Sequence, residues 1–180
     1  PPLNQSPELE IVGKSVVIKL PDTLRDNTTY SIVLAETIKD YTEGNPLSIY
    51  TYSFSTGDHI DSFMIKGKLK DAFTLSEVKD VYVFLYDQDI DSLPFSVRPT
   101  YLTKSKSNGE FVFNNIHPGK YKVFALNDIN NNLIYDLPNE SIAFSDTPVE
   151  AYVPAPDSSA EDKNITRRSR VEENNLLKLA

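Results

Sequence analysis

The chain has 180 residues, enough for one large domain or two small ones, and 39% of it is apolar and 24% charged, an ordinary balance for a globular protein. Its net charge of -8 argues against nucleic acid as a partner, because phosphates demand a basic surface. Cysteine is absent, which excludes disulfides, thiolate chemistry and cysteine-based zinc or iron–sulfur sites. No apolar run approaches the length of a transmembrane helix.

The opening "PPLNQSPELE" has neither an initiator Met nor the pattern of a signal peptide, and it reads as a cut into something longer. Alternation begins at "LEIVGKSVVIKL" (9–20), where Gly13-Lys14 separates two apolar runs and predicts a hairpin. Strands are expected at "TTYSIVLAE" (28–36) and "IYTYSFST" (49–56), with "TEGNPL" (42–47) as the turn between them. These are too few for a closed sandwich, which needs about seven strands, so this part is either truncated or borrows strands from elsewhere. The polar "TGDHIDS" (56–62) marks a junction.

A second set of strands follows. They are "FMIKGKLKD" (63–71), "KDVYVFLYD" (79–87), "RPTYLTKSK" (98–106), "GEFVFNNI" (109–116), "GKYKVFALND" (119–128) and "ESIAFSD" (140–146), with "VEAYVPA" (149–155) closing the set. Gly, Pro or Asn between short strands is the rhythm of an antiparallel sandwich. In "KYKVFAL" Tyr121, Val123 and Ala125 share one face while Phe124 and Leu126 share the other, which predicts a central strand. Phe111, Phe113, Tyr121, Val123 and Phe124 form the expected core. From Asp157 the chain turns polar and mixed in charge, and 156–180 reads as a flexible polar tail whose "RRSR" is ordinary solvated charge.

Residues 20–58 resemble the C-terminal half of a bacterial Ig-like domain of the S-layer-protein type, through "NTTY", "IKD", "EGNPL" and the closing "FSTG". Residues 63–155 resemble the carboxypeptidase-regulatory-like, or Cna-B/prealbumin-like, sandwich, through "IKGKLKDAFTLSEVKDVYVFLYD", "SNGEFVFNNIHPGKYKVFALND" and "INNNLIYD". The order of the two looks like a family of Ig-like envelope lipoproteins found in Bacteroidota. The expected fold is therefore all-β: a partial Ig-like domain (1–58), a prealbumin-like antiparallel β-sandwich (59–155) and the tail. The resemblance implies a non-enzymatic structural or interaction subunit of the bacterial cell envelope, with other envelope or outer-membrane proteins as partners. Membrane contact would come only through an anchor outside this segment.

Candidate chemistry is sparse. Nucleophilic catalysis needs a base, yet His59 lies in the junction and His117 in the "IHPG" turn, neither within a catalytic motif, so no catalytic residue is expected. Asp87, Asp89 and Asp91 of "DQDIDS" read as a solvated loop. The strongest cluster is "DINNNLIYD", where Asp128, Asn130, Asn132 and Asp136 match positions 1, 3, 5 and 9 of a calcium loop. Against calcium, Leu133 stands where such a loop has Gly, and Glu140 comes one residue late. The competing reading, which we favour, is a wide turn whose Asx side chains cap the backbone, with no cofactor. Tyr82, Tyr101, Tyr121 and Tyr135 raise a second function, a carbohydrate- or peptide-binding sandwich with an aromatic platform, although their alternation predicts core or cross-strand pairs first.

Overall fold

The computed structural model describes residues 7–13, 15–20, 23–34, 50–154 and 176–179. They are all-β, with one 3-10 turn at Leu93–Phe95. No helix among them is long and apolar enough to cross a membrane, a statement that leaves strands aside. The chain divides into two compact units, Pro1–Asp61 and Ser62–Ala180.

In the first unit β1 (Glu8–Val12) and β2 (Ser15–Lys19) form the expected hairpin, closing at the pair Val12↔Ser15 with Gly13 at φ 62. β3 (Thr29–Leu34) pairs antiparallel with β4 (Tyr50–Ser55). The "TEGNPL" turn expected between them lies outside the described residues. Tyr30 is buried, stacks on Phe54 at 5.6 Å, and its hydroxyl accepts the Arg25 amide at 2.9 Å. The "FSTG" end is tied back to the loop before β3, because Thr56 Oγ1 accepts the Thr28 amide at 3.0 Å and donates to the Arg25 carbonyl at 2.6 Å.

The second unit is a two-layer sandwich. One sheet runs β10 (Ile142–Phe144), β9 (Lys120–Leu126), β6 (Tyr82–Tyr86), β7 (Tyr101–Lys104), with β11 (Val149–Glu150) also on β9. The other runs β12 (Leu176–Leu179), β5 (Phe63–Asp71), β8 (Glu110–Ile116). Period-2 alternation sends Ile65, Leu69, Phe111 and Phe113 inward from the second sheet. They meet Val83, Leu85, Tyr121, Val123 and Ala125 of the first, all buried. Asn108 and Gly109 make the turn into β8: Gly109 has φ 74, and Asn108 Oδ1 accepts the Glu110 amide at 3.1 Å. A Cβ on Gly109 would also sit 2.5 Å from the Leu69 carbonyl, so close approach fixes glycine there as well.

Two features differ from expectation. Leu176–Leu179, placed by the sequence in a loose tail, form β12 and pair with β5 in parallel, the one parallel pairing among the described strands; residues 155–175 lie outside the described residues. The other difference concerns where Phe124 packs. It is buried as expected, but it faces away from the space between the sheets, into a second apolar cluster with Phe84, Tyr86 and Leu126.

Candidate functional site

That second cluster explains the two loops richest in polar side chains. On the outer face of the first sheet, Phe84 opposes Phe124 and Tyr82 opposes Leu126. An apolar sheet face needs a cover. Leu93 comes from the loop after β6, and Leu133 and Tyr135 from the loop after β9, to pack on it. The two loops clasp each other over the sheet: the Tyr135 amide donates to the Pro94 carbonyl at 2.8 Å, and the Phe95 and Tyr135 rings meet edge to face at 5.2 Å. "DINNNLIYD" is thus a lid with an apolar underside and a polar top.

The polar top is a network closed on itself. The Asp128 carboxylate is buried and accepts the amides of Asn132 (3.3 Å) and Leu133 (2.8 Å). Asn130 Oδ1 accepts the Asn132 amide at 3.1 Å, and Asn132 Oδ1 accepts the Ile134 amide at 2.8 Å. The two Asn amide groups donate to Asp136, one to each oxygen, at 3.1 and 2.8 Å. Asn131 and Leu133 take left-handed φ values of 58 and 64. Leu133 therefore adopts the backbone conformation usually left to glycine, and the packing of its half-buried side chain against the cluster works against that strain. Glu140 is buried and accepts the Ile129 amide with one oxygen at 3.2 Å and the Asp136 and Leu137 amides with the other at 3.1 and 3.2 Å.

The structure brings Asp128, Asn130, Asn132 and Asp136 together, with each side chain bonded within the loop. Among the described residues no group of three or more His, Cys, Asp or Glu is arranged to hold a metal. A loop held by its own bonds should not depend on cations: chelator against millimolar calcium is expected to move the melting temperature by no more than roughly 2 °C. Bound calcium would instead add about 2.7 kcal/mol at a hundredfold excess over Kd, several degrees for a unit of this size. A shift of that size, specific to calcium over magnesium and abolished by Asp128→Ala, would overturn the turn reading.

Sequence reasoning missed the residue that anchors the other loop. Lys122 lies on the same face of β9 as Phe124, opposite Tyr86, and is buried. Its ammonium donates to Asp91 at 2.9 Å, lies 3.5 Å from Asp89, and reaches the Asp146 carbonyl at 3.3 Å. The aspartates expected to be merely solvated are exposed at their own positions, yet they neutralise a cation set into an apolar face. A lysine in phase with Phe124 and Leu126 was the available signal.

The hydrogen bond and charge of Asp91 hold the Lys122 ammonium above its usual pKa of 10.5, against the opposing effect of burial. Burial alone pushes the Tyr86 phenol well above its usual 10.0 while its hydroxyl donates to the Val97 carbonyl at 2.8 Å. Both groups bind their proton more tightly folded than unfolded. Their stabilisation is present below pH 10.0–10.5 and is lost as pH rises through the raised values. Melting temperature should therefore fall steeply above that window. Tyr86→Phe should flatten the fall while costing about 1 kcal/mol at neutral pH for the lost hydrogen bond. An unchanged alkaline slope would show that Tyr86 takes no part.

The four tyrosines do not form a platform. Tyr121 is buried and donates to the His117 carbonyl at 2.8 Å, while Tyr101 packs against it edge to face at 5.8 Å and accepts the His117 amide at 3.2 Å. Tyr82 stacks on Phe84 at 6.3 Å beneath the Lys104 ammonium, 4.2 Å from the ring, and Tyr135 belongs to the lid. His59 and His117 are both exposed. An exposed apolar surface lies instead on the first unit. Register places Leu9, Ile11, Val16 and Ile18 on one face of the β1–β2 hairpin, and Leu9 and Ile11 are 69% and 81% exposed. The opposite face is mixed: it carries Val12 and Val17 beside Glu8, Glu10 and Lys19, with Lys19 paired to Glu10 at 2.9 Å.

No curated protein and no solved structure matches this chain. Residues 1–56, which carry that hairpin and the β3–β4 pair, match the family model described as a bacterial Ig-like domain.

Proposed function

We propose that the chain is a non-catalytic interaction segment of a bacterial cell-envelope protein, serving within an outer-membrane assembly through contacts with other envelope proteins. The family match supports a surface or interaction module, since Ig-like domains are generally non-catalytic. The resemblance of 63–155 to carboxypeptidase-regulatory-like sandwiches, and of the whole to envelope lipoproteins of Bacteroidota, supports the finer placement.

The observation that carries the reading is the uncovered apolar face of the β1–β2 hairpin. Three exposed aliphatic side chains, Leu9, Ile11 and Val16, with the half-buried Ile18, line up on one face and make a surface built to be covered. A sugar- or peptide-binding platform would need its tyrosines outward, and here they serve the core and the lid.

The test is affinity purification of the full-length protein from its native membrane, wild type against Ile11→Asp. Because Ile11 is exposed, the substitution should cost no more than about 1 kcal/mol, the span of strand preferences, and leave the unit folded. Envelope and outer-membrane proteins should co-purify with the wild type and be lost from the variant. An identical partner set from both, or a set without envelope proteins, would overturn the proposal.

A further inference from the structure

The outer edge of β5 is occupied in an unusual way. Along this strand odd-numbered backbone groups face β8: the Leu69 amide donates to the Gly109 carbonyl at 2.8 Å, and the Leu69 carbonyl accepts the Val78 amide at 3.4 Å. Even-numbered groups face the other edge, where Met64 and Tyr152 exchange both backbone bonds at 2.8 and 3.0 Å. Lys68 and Lys70 therefore turn their backbone groups to that same edge, and Leu176–Leu179 lie along it with Leu177 opposite Leu69. In a parallel ladder of this register the Leu177 amide meets the Lys68 carbonyl and the Leu177 carbonyl meets the Lys70 amide. Leu179 takes the next place, while the amide of Lys178 points to the open side.

Tyr152 runs antiparallel to β5 and Leu176 runs parallel to it, so the chain leaves this edge and comes back to it reversed. Residues 153–175 separate the two contacts. Pairing is by backbone and register, and neither depends on which copy of the chain supplies the strand. Four residues make a short ladder, held in one chain by the effective concentration that the intervening segment provides. Exchange of such an element between identical chains is a low-cost route to association.

We propose that the outer edge of β5 is a strand-accepting site whose ligand is the segment 176–179, and that a second copy of the chain can supply that segment in place of the chain's own. The contact is β-augmentation in parallel orientation, with affinity from the main chain. It is separate from the hairpin face of the first unit, so it stands or falls independently of the assembly reading.

Amide exchange in the full-length chain tests it. Lys70 should be protected in the wild type and exchange at least roughly tenfold faster in Leu177→Pro, which removes the ladder donor. Phe113 and Val123 should stay protected in both, reporting an intact sandwich; deletion of residues 176–180 serves as a second variant should the proline disturb folding. A synthetic peptide of residues 172–180 at millimolar concentration should restore Lys70 protection in either variant. The peptide N-methylated at Leu177 should not, and that N-methylated at Lys178 should. By light scattering the wild type should form dimers as its concentration rises to the millimolar range, and Leu177→Pro should not. Equal Lys70 exchange in all chains, or no rescue by peptide, would overturn the acceptor site. A wild type that stays monomeric throughout would overturn the exchange between copies.

Discussion

Phe124→Ala is expected to destabilise the second unit by about 3–5 kcal/mol, read as a lower urea midpoint at unchanged slope. The ring is 2% exposed, meets Tyr86 edge to face at 5.6 Å and opposes Phe84 across the ladder. Its removal leaves a cavity between a rigid sheet and two loops that are hydrogen-bonded to each other. Partial collapse of the lid would put the cost at the lower end of the range; a lid held in place by its own bonds would put it at the upper. Phe144→Ala supplies the contrast. That ring lies 6.4 Å from Phe124 on the neighbouring strand but is 56% exposed, and its loss should cost less than about 1 kcal/mol. Equal effects from the two substitutions would show that the outer cluster is no core at all.

The outer cluster was half legible. The apolar residues on both faces of "KYKVFAL" announce a central strand, and β9 does lie between β10 and β6 with both faces covered. What alternation cannot say is which face meets the other sheet and which meets loops, because each face is simply apolar. The cover comes from Leu93, Leu133 and Tyr135, which stand among Asp and Asn residues in segments with no period. Lys122 was hidden for the opposite reason. A charged residue in a strand reads as solvent-facing, and only the three-dimensional approach of Asp89 and Asp91 makes its burial tolerable. β12 escaped because four residues, Leu-Leu-Lys-Leu, after a long polar stretch carry too little pattern to outweigh it. Turns, by contrast, were read well where one residue type dictates the geometry, as at Gly13.

The calcium-like cluster shows how matching a spacing can miss a residue's task. Glu140 falls one place beyond the last ligand of a calcium loop, and counted against that template it looks misplaced. In the fold it is the keystone of the lid. Its buried carboxylate gathers the amides of Ile129, Asp136 and Leu137, the two ends of the loop, onto one group. Glu140→Ala should therefore cost about 3–5 kcal/mol, because three part-buried amides lose a buried, charged acceptor at once. Glu140→Gln, which keeps one carbonyl oxygen but turns an NH2 group toward an amide, should cost roughly half as much. Both costs should be the same in chelator and in millimolar calcium if the carboxylate serves the backbone. Were it instead serving a cation, the penalty would shrink toward zero in chelator and grow with added calcium, as linkage requires. The two accounts thus predict opposite calcium dependence for one substitution. The geometry favours the first: both Glu140 oxygens already accept amides at 3.1–3.2 Å.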